Sequence, residues 1–285
     1  MKRRSVEGAH LFAQEVAEKC CISDLGGLLL DDRGNFTTAI EALELEPSET
    51  GQNLSSLLDA NGLTPLFYRN AQFAENLGLP FCILAHIRGT SNIHVYQVIP
   101  EKHGVLTCSS HEILTEAGFL QWWQERKKTK QVKPYRQELT QRAETSYFDN
   151  LLERHDLKWG GNIDGYLMGY HSGAFRIRGI IENRFTKKVA LSQYDPNAFF
   201  RYGGGDYNTW QPLITLKDSL QVPLFVMTYS KRDGEENQVG ITQILGQTRE
   251  SGLQYVQDEE GNPIRPCDRI FQNPEDIQSW ILENT

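Results

Sequence analysis

No apolar run in this sequence approaches the roughly 18–20 residues that a membrane-spanning helix needs. None of its five cysteines, Cys20, Cys21, Cys82, Cys108 and Cys267, forms a C-x-x-C pair. The first absence predicts a chain that does not enter a membrane. The second, with the odd count and the scattered spacing, argues against a disulfide framework and a structural zinc site, and points to a reducing cytoplasm. The basic start, Met1-Lys-Arg-Arg, is followed by no long apolar stretch, so a signal peptide is not expected. Also missing are a G-x-x-x-x-G-K-[ST] loop, a G-x-G-x-x-G loop, a Gly-x-Ser-x-Gly elbow and a cysteine with an adjacent histidine. Their absence removes support for the common nucleotide folds and for acyl transfer. His10, His86, His94, His103, His111, His155 and His171 show no tight metal spacing and read as packing residues.

What is present is a folded composition, 39% apolar and 23% charged, over 285 residues, enough for two ordinary domains. The net charge of −8 alone argues against a nucleic-acid partner, but the charge is unevenly spread. Residues 1–125 carry 8 Lys/Arg against 16 Asp/Glu, residues 126–205 carry 15 against 8, and residues 206–285 carry 6 against 13. A basic centre between acidic flanks supplies a local field that could attract phosphate. A solvated linker starting at Arg126-Lys-Lys-Thr-Lys is the alternative reading.

The chain also echoes itself. Gly165-Tyr-Leu-Met-Gly-Tyr-His-Ser-Gly173-Ala-Phe175 resembles Gly27-Leu-Leu-Leu-Asp-Asp-Arg-Gly34-Asn-Phe36, each a strand, a glycine turn and a strand. Trp210, Leu216, Leu220 and Pro223 repeat the mutual spacings of Phe67, Phe73, Leu77 and Pro80. Each proline opens an apolar strand, where its missing N–H costs least. A second strand follows in each half, His94–Ile99 and Val239–Leu245. Each half closes in a Trp-bearing helix, one starting with the capping pattern Ser109-Ser-His-Glu112 and the other with Asn273-Pro-Glu-Asp276. Opening helices are expected over Val6–Lys19 and Arg142–His155. The common order is helix, hairpin, helix, strand, strand, helix. It predicts an α/β protein of two tandem copies of a mixed sheet flanked by helices. The domains would be residues 1–126 and 142–285, with 127–141 as a basic linker.

Only the second half carries a constellation suited to chemistry. Asp164 heads one strand, and Phe175-Arg-Ile-Arg-Gly-Ile-Ile-Glu182-Asn-Arg184 runs back along the next. Alternation places Glu182 and Arg184 on one face, and antiparallel pairing could bring Asp164 beside Glu182. Two carboxylates at one sheet end repel, and a divalent cation relieves that cost; hard oxygen donors suit Mg²⁺. An Asp on one strand and a Glu-x-Lys after an apolar run on the next, between two helices, is the pattern of the PD-(D/E)XK, or restriction-endonuclease-like, superfamily. Residues 140–250 resemble it, with Arg184 where the pattern has Lys. The resemblance implies a restriction-endonuclease-like second copy and a Mg²⁺- (or Mn²⁺-) dependent endonuclease cleaving DNA, in restriction, defence or repair. Asp164 and Glu182 would be the metal ligands, with an acid from the opening helix, Glu144 or Glu153, completing the set. Arg cannot act as a base, so Arg184 would stabilise transition-state charge, with Lys187 or Lys188 supplying an ammonium.

Around these acids Arg176, Arg178, Lys188 and Arg201 are candidates for phosphate contacts, or form a solvated strand face. Tyr202-Gly-Gly-Gly-Asp206-Tyr207-Asn208 precedes a helix, with Asp206 or Asn208 as its cap. Tyr202, Tyr207 and Trp210 could stack on bases. In the first half Gly26 is in line with Asp164, or Asp24 lies two residues early. Glu41, Glu44 and Glu46 there have no basic partner and would repel phosphate, which reads as a scaffold, specificity element or dimer surface. The competing function is a non-catalytic nuclease-like module that binds nucleic acid or a protein partner. A homodimer is the default assembly, and cutting both strands would favour one.

Overall fold

The computed structural model describes residues 1–3, 10–49, 53–127, 146–157, 159–171, 174–200 and 205–285. The chain divides into two compact units, Met1–Val6 with Leu25–Asn162, and Glu7–Asp24 with Ile163–Thr285. Each is a mixed sheet flanked by helices.

Unit 1 contains β1 (Lys2–Arg3), β2 (Ser23–Leu30), β3 (Phe36–Leu45), α2 (Leu54–Ala60), α3 (Thr64–Asn76), β4 (Phe81–Ile87), β5 (Ile93–Pro100), β6 (Leu106–Leu114), α4 (Glu116–Arg126) and α5 (Tyr147–Arg154). The hairpin β2–β3 is antiparallel, and β3 pairs parallel with β4 because α2 and α3 carry the chain back across the sheet. β4–β5 and β5–β6 are antiparallel, and β1 adds to β3. Leu29, Ile40, Ala42, Leu84, Ile93 and Val95 face Phe119, Trp122 and Trp123 of α4 and Phe148, Leu151 and Leu152 of α5.

Unit 2 contains α1 (Leu11–Lys19), β7 (Gly161–His171), β8 (Ala174–Thr186), α6 (Gly205–Leu220), β9 (Leu224–Ser230), β10 (Val239–Thr248), β11 (Gly252–Tyr255), β12 (Ile270–Phe271) and α7 (Pro274–Glu283). The strand directions repeat: β7–β8 antiparallel, β8–β9 parallel through α6, β9–β10 and β10–β11 antiparallel. Leu167, Ile181, Phe225, Met227, Tyr229 and Ile241 form one core with Phe12 and Val16 of α1 and Ile277 and Ile281 of α7.

The division into units differs from the expected 1–126 and 142–285 in the placement of the opening helices. α1 packs in the unit built from the second half. Phe12 and Val16, four residues apart, form its buried stripe. Lys19 pairs with Glu275 at 2.7 Å, and the Gln278 amide donates to Lys19 O at 2.8 Å. α5 packs in unit 1, where Glu44 accepts the Tyr147 N–H at 2.6 Å. Amphipathic periodicity shows that a helix has an apolar stripe but not which sheet receives it.

Local signals fared unevenly. Asn273 caps α7 with Pro274 at its first position, as expected. Ser109-Ser-His-Glu112 is not a helix start: it lies in β6, and α4 is capped by Thr115, whose Oγ1 accepts the Gly118 N–H at 3.2 Å. A ladder with β5 outweighs the short capping pattern there. α1 is capped by His10. Its Nδ1 accepts from Ala13 N at 3.2 Å and its Nε2–H donates to Ser230 O at 2.8 Å. α6 starts at Gly205, so Asp206 and Asn208 lie inside its first turn rather than at its cap. Val6, Arg142, Glu144, Arg201, Tyr202 and nearly all of the 127–141 linker fall outside the described residues. Among the described residues no helix is long and apolar enough to cross a membrane.

One tertiary contact in unit 1 yields a pH test. The Tyr147 hydroxyl donates to Glu116 at 2.7 Å and, with Arg154 at 3.3 Å, holds that carboxyl below its ordinary range. A depressed folded-state pKa stabilises above the ordinary glutamate value, and this contribution fades as pH falls through the depressed one. Tyr147→Phe is expected to flatten the acid limb of the stability–pH curve, read by thermal melts between pH 3 and 6 chosen to span the usual glutamate value of about 4.3.

Candidate metal and nucleic-acid site

The site follows from strand register. Gly165 lies opposite Ile181 and Tyr166 opposite Ile180. Directly opposed residues share a sheet face. Ile181 faces the α1–α7 core, so Ile180, Glu182 and Arg184 face the other way, toward α6. Asp164, one residue before Gly165, shares the face of Glu182. The Asp164 Oδ2 accepts the Asn183 N–H at 2.9 Å, which ties the head of β7 to β8. Glu182 is buried, 9% exposed, and its Oε1 meets Arg184 at 3.0 Å. The Arg184 guanidinium in turn lies over the Trp210 ring of α6, 4.9 Å from its centre. Beside Arg184 in the ladder is Thr228, whose hydroxyl is buried with no hydrogen-bond partner among the described residues.

Glu153 is exposed on α5, in unit 1, while both acids are in unit 2. α5 buries Phe148, Leu151 and Leu152 and turns Glu153 to solvent. Among the described residues no three His, Cys, Asp or Glu groups come together as a metal cage. The donor set nevertheless fits Mg²⁺ in kind: two carboxylates provide hard oxygen ligands, and this ion usually keeps several waters and takes substrate phosphate as further ligands. Lys187 and Lys188 are exposed in the bend after β8. Arg176 and Arg178 are exposed on β8, with Arg178 donating to Thr285 O at 2.7 Å. Trp210 is 3% exposed, so it is a packing residue and not a free stacking platform. Its neighbour Tyr207 has its ring covered by Arg249 at 4.9 Å. The sequence offers both rings for stacking on bases; Trp210 is closed to that role by burial, and Tyr207 is half-buried. Helical phase directs Trp210 onto the sheet, while Arg249 reaches Tyr207 from β10–β11.

The corresponding place in unit 1 is built differently. Gly27 lies opposite Ile40, which puts Gly26 against Glu41. Glu41 is fully buried; its Oε1 accepts the Gly26 N–H at 2.7 Å and the Asn70 amide at 2.8 Å. A Cβ on Gly26 would stand 2.7 Å from Glu41 Oε2. No second acid can be placed there without displacing Glu41. Glu44 and Glu46 do have a basic partner, contrary to the reading from sequence: Arg88, beyond β4, meets Glu46 at 2.8 Å and Glu44 at 3.9 Å. The three-residue step from Glu41 to Glu44 turns them to opposite faces. Gly26→Ala is expected to cost about 1–3 kcal/mol by overpacking, measured by urea unfolding.

Asn183, Thr228 and Arg88 were not singled out from sequence, since backbone donation and cross-ladder neighbours leave no motif. Compared with family models, with curated proteins and with solved structures, the chain matches none.

Proposed function

We propose that unit 2 is a Mg²⁺-dependent nuclease of PD-(D/E)XK type, in a cytoplasmic protein whose two units are copies of one restriction-endonuclease-like element. The observation that carries the reading is the placement of Asp164 and Glu182 on one face of neighbouring strands, with Arg184 two residues beyond Glu182. Duplication is supported by register as well as by strand direction. Ile180 N donates to Pro223 O at 3.0 Å, and Ala39 N donates to Pro80 O at 3.0 Å. That equates Glu182 with Glu41 and, through the hairpins, Asp164 with Gly26.

Asp164 and Glu182 would hold the ion, which when bound polarises a phosphate oxygen and lowers the pKa of its water. Arg184 is placed to balance charge developing on the phosphorus oxygens. Its guanidinium is held between Glu182 and Trp210, so its position is set before substrate arrives. Lys187 and Lys188, in the bend just after β8, add phosphate contacts that supply affinity without sequence preference; Arg176, opposite Gly169, and Arg178, bonded to Thr285 O, lie on the α1–α7 face of β8 and are left out of that set. Unit 1, with Glu41 sealed by Gly26 and Asn70, serves as scaffold or partner surface. The test is cleavage of plasmid and single-stranded DNA by the full chain with Mg²⁺ or Mn²⁺. Nicking or cutting that requires the ion supports the reading, and inertness with every substrate overturns it.

The ion pair itself favours a second reading, a module that binds without cutting. The Arg184 guanidinium already neutralises Glu182, the task otherwise given to a cation. Binding of DNA without cleavage under every metal condition would select it.

A further inference from the structure

On the α3 side of the unit 1 sheet, β5 and β6 bring His111 together with His94 and Tyr96. Tyr96 lies directly opposite His111, and His94 is two residues from Tyr96 on the same face. His94 Nδ1 and His111 Nε2 lie 3.1 Å apart, and the Tyr96 hydroxyl is 3.3 Å from the same Nδ1. The Tyr96 and His111 rings stack with centres 4.2 Å apart and planes 9° from parallel, so both imidazoles are held in place. His111 is exposed on the strand and His94 half-buried, which leaves the pair open to solvent from one side. This cluster lies wholly in unit 1 and is independent of the acids of unit 2.

We infer that His94 and His111 form a binding site for a divalent transition-metal ion of imidazole preference, Ni²⁺, Cu²⁺ or Zn²⁺. Two ring nitrogens 3.1 Å apart that each bind an ion at roughly 2.0–2.1 Å subtend about 100° at the metal. That angle suits two neighbouring ligands in tetragonal or tetrahedral coordination. Without an ion, one nitrogen must carry a proton toward the other; with it, both lone pairs are used. The Tyr96 hydroxyl, 3.3 Å from His94 Nδ1, orients that ring or a metal-bound water and need not itself be a ligand. Solvent fills the remaining positions. Cys108, exposed on β6 opposite Val98, offers a competing soft ligand on this face.

The test is calorimetric titration of the untagged full chain with Ni²⁺ under a non-chelating reductant, with the fold of each variant checked by near-ultraviolet circular dichroism. One ion per chain is expected, with affinity weakened at least about tenfold by His111→Ala and by His94→Ala. It should be unchanged by Cys108→Ser and by Asp164→Asn combined with Glu182→Gln. His111→Ala on an exposed strand decides the matter even if His94→Ala fails to fold. Wild-type affinity retained in His111→Ala would overturn the site, as would its loss in Cys108→Ser or in the unit 2 variant.

Discussion

Asp164→Asn and Glu182→Gln are each expected to lower Mg²⁺-dependent cleavage of DNA by about a hundredfold or more, on the scale of losing one preorganised electrostatic contact to the transition state. Both substitutions keep shape and remove charge. Asn retains a carbonyl that can accept the Asn183 N–H now bonded to Asp164 at 2.9 Å, so the β7–β8 hairpin should hold. Gln at 182 loses the ion pair with Arg184, 3.0 Å away, but can still accept one of its hydrogen bonds. A melting temperature near wild type with activity gone locates the centre. Full activity in both variants would remove these acids from any catalytic role. Arg184→Lys is the informative companion, because it restores the lysine of the resembled motif: the enzyme reading expects activity retained or raised.

The second large effect concerns stability. Phe148→Ala in α5 is expected to destabilise unit 1 by about 3–5 kcal/mol, as for a large buried aromatic removed from a packed core. Phe148 is fully buried, with ring centres of Phe119 and Trp159 at 5.6 and 6.1 Å. Phe12→Ala in α1 is expected to act on unit 2, where that ring meets Tyr229 edge-on at 6.3 Å. Hydrogen exchange read unit by unit separates the two. If Phe148→Ala left residues 25–127 as protected as in the wild type, the packing of α5 in that unit would be refuted.

The strand architecture was legible because strands carry local signals. Alternation, glycine turns and the prolines at 80 and 223 located the hairpins and the strand after each helix, while β6 and β11 are absent from the expected order. The matched spacings of Phe67 and Trp210 to those prolines reflect a shared register, visible in the two hydrogen bonds to the proline carbonyls. Asp164 and Glu182 could be brought together on paper for the same reason. Other features depend on contacts distant in sequence. The receiving sheet of α1 and α5 is chosen by shape and apolar complementarity, which no local pattern encodes. Ser109–Glu112 carries a helix-start pattern yet pairs with β5, because a ladder satisfies more backbone groups than one cap. Trp210 seemed available as a stacking ring because composition does not state burial. His94 and His111, seventeen positions apart, acquire a shared geometry only through the β5–β6 register.

On the proposed function, Asp164 and Glu182 together hold a divalent ion. Mn²⁺ binding followed by electron paramagnetic resonance tests it most directly, on wild type, on Asp164→Asn combined with Glu182→Gln, and on His111→Ala. One Mn²⁺ per chain, lost in the double variant and kept in His111→Ala, is the predicted result. No difference in Mn²⁺ binding between wild type and the double variant, with DNA present or absent, would contradict it.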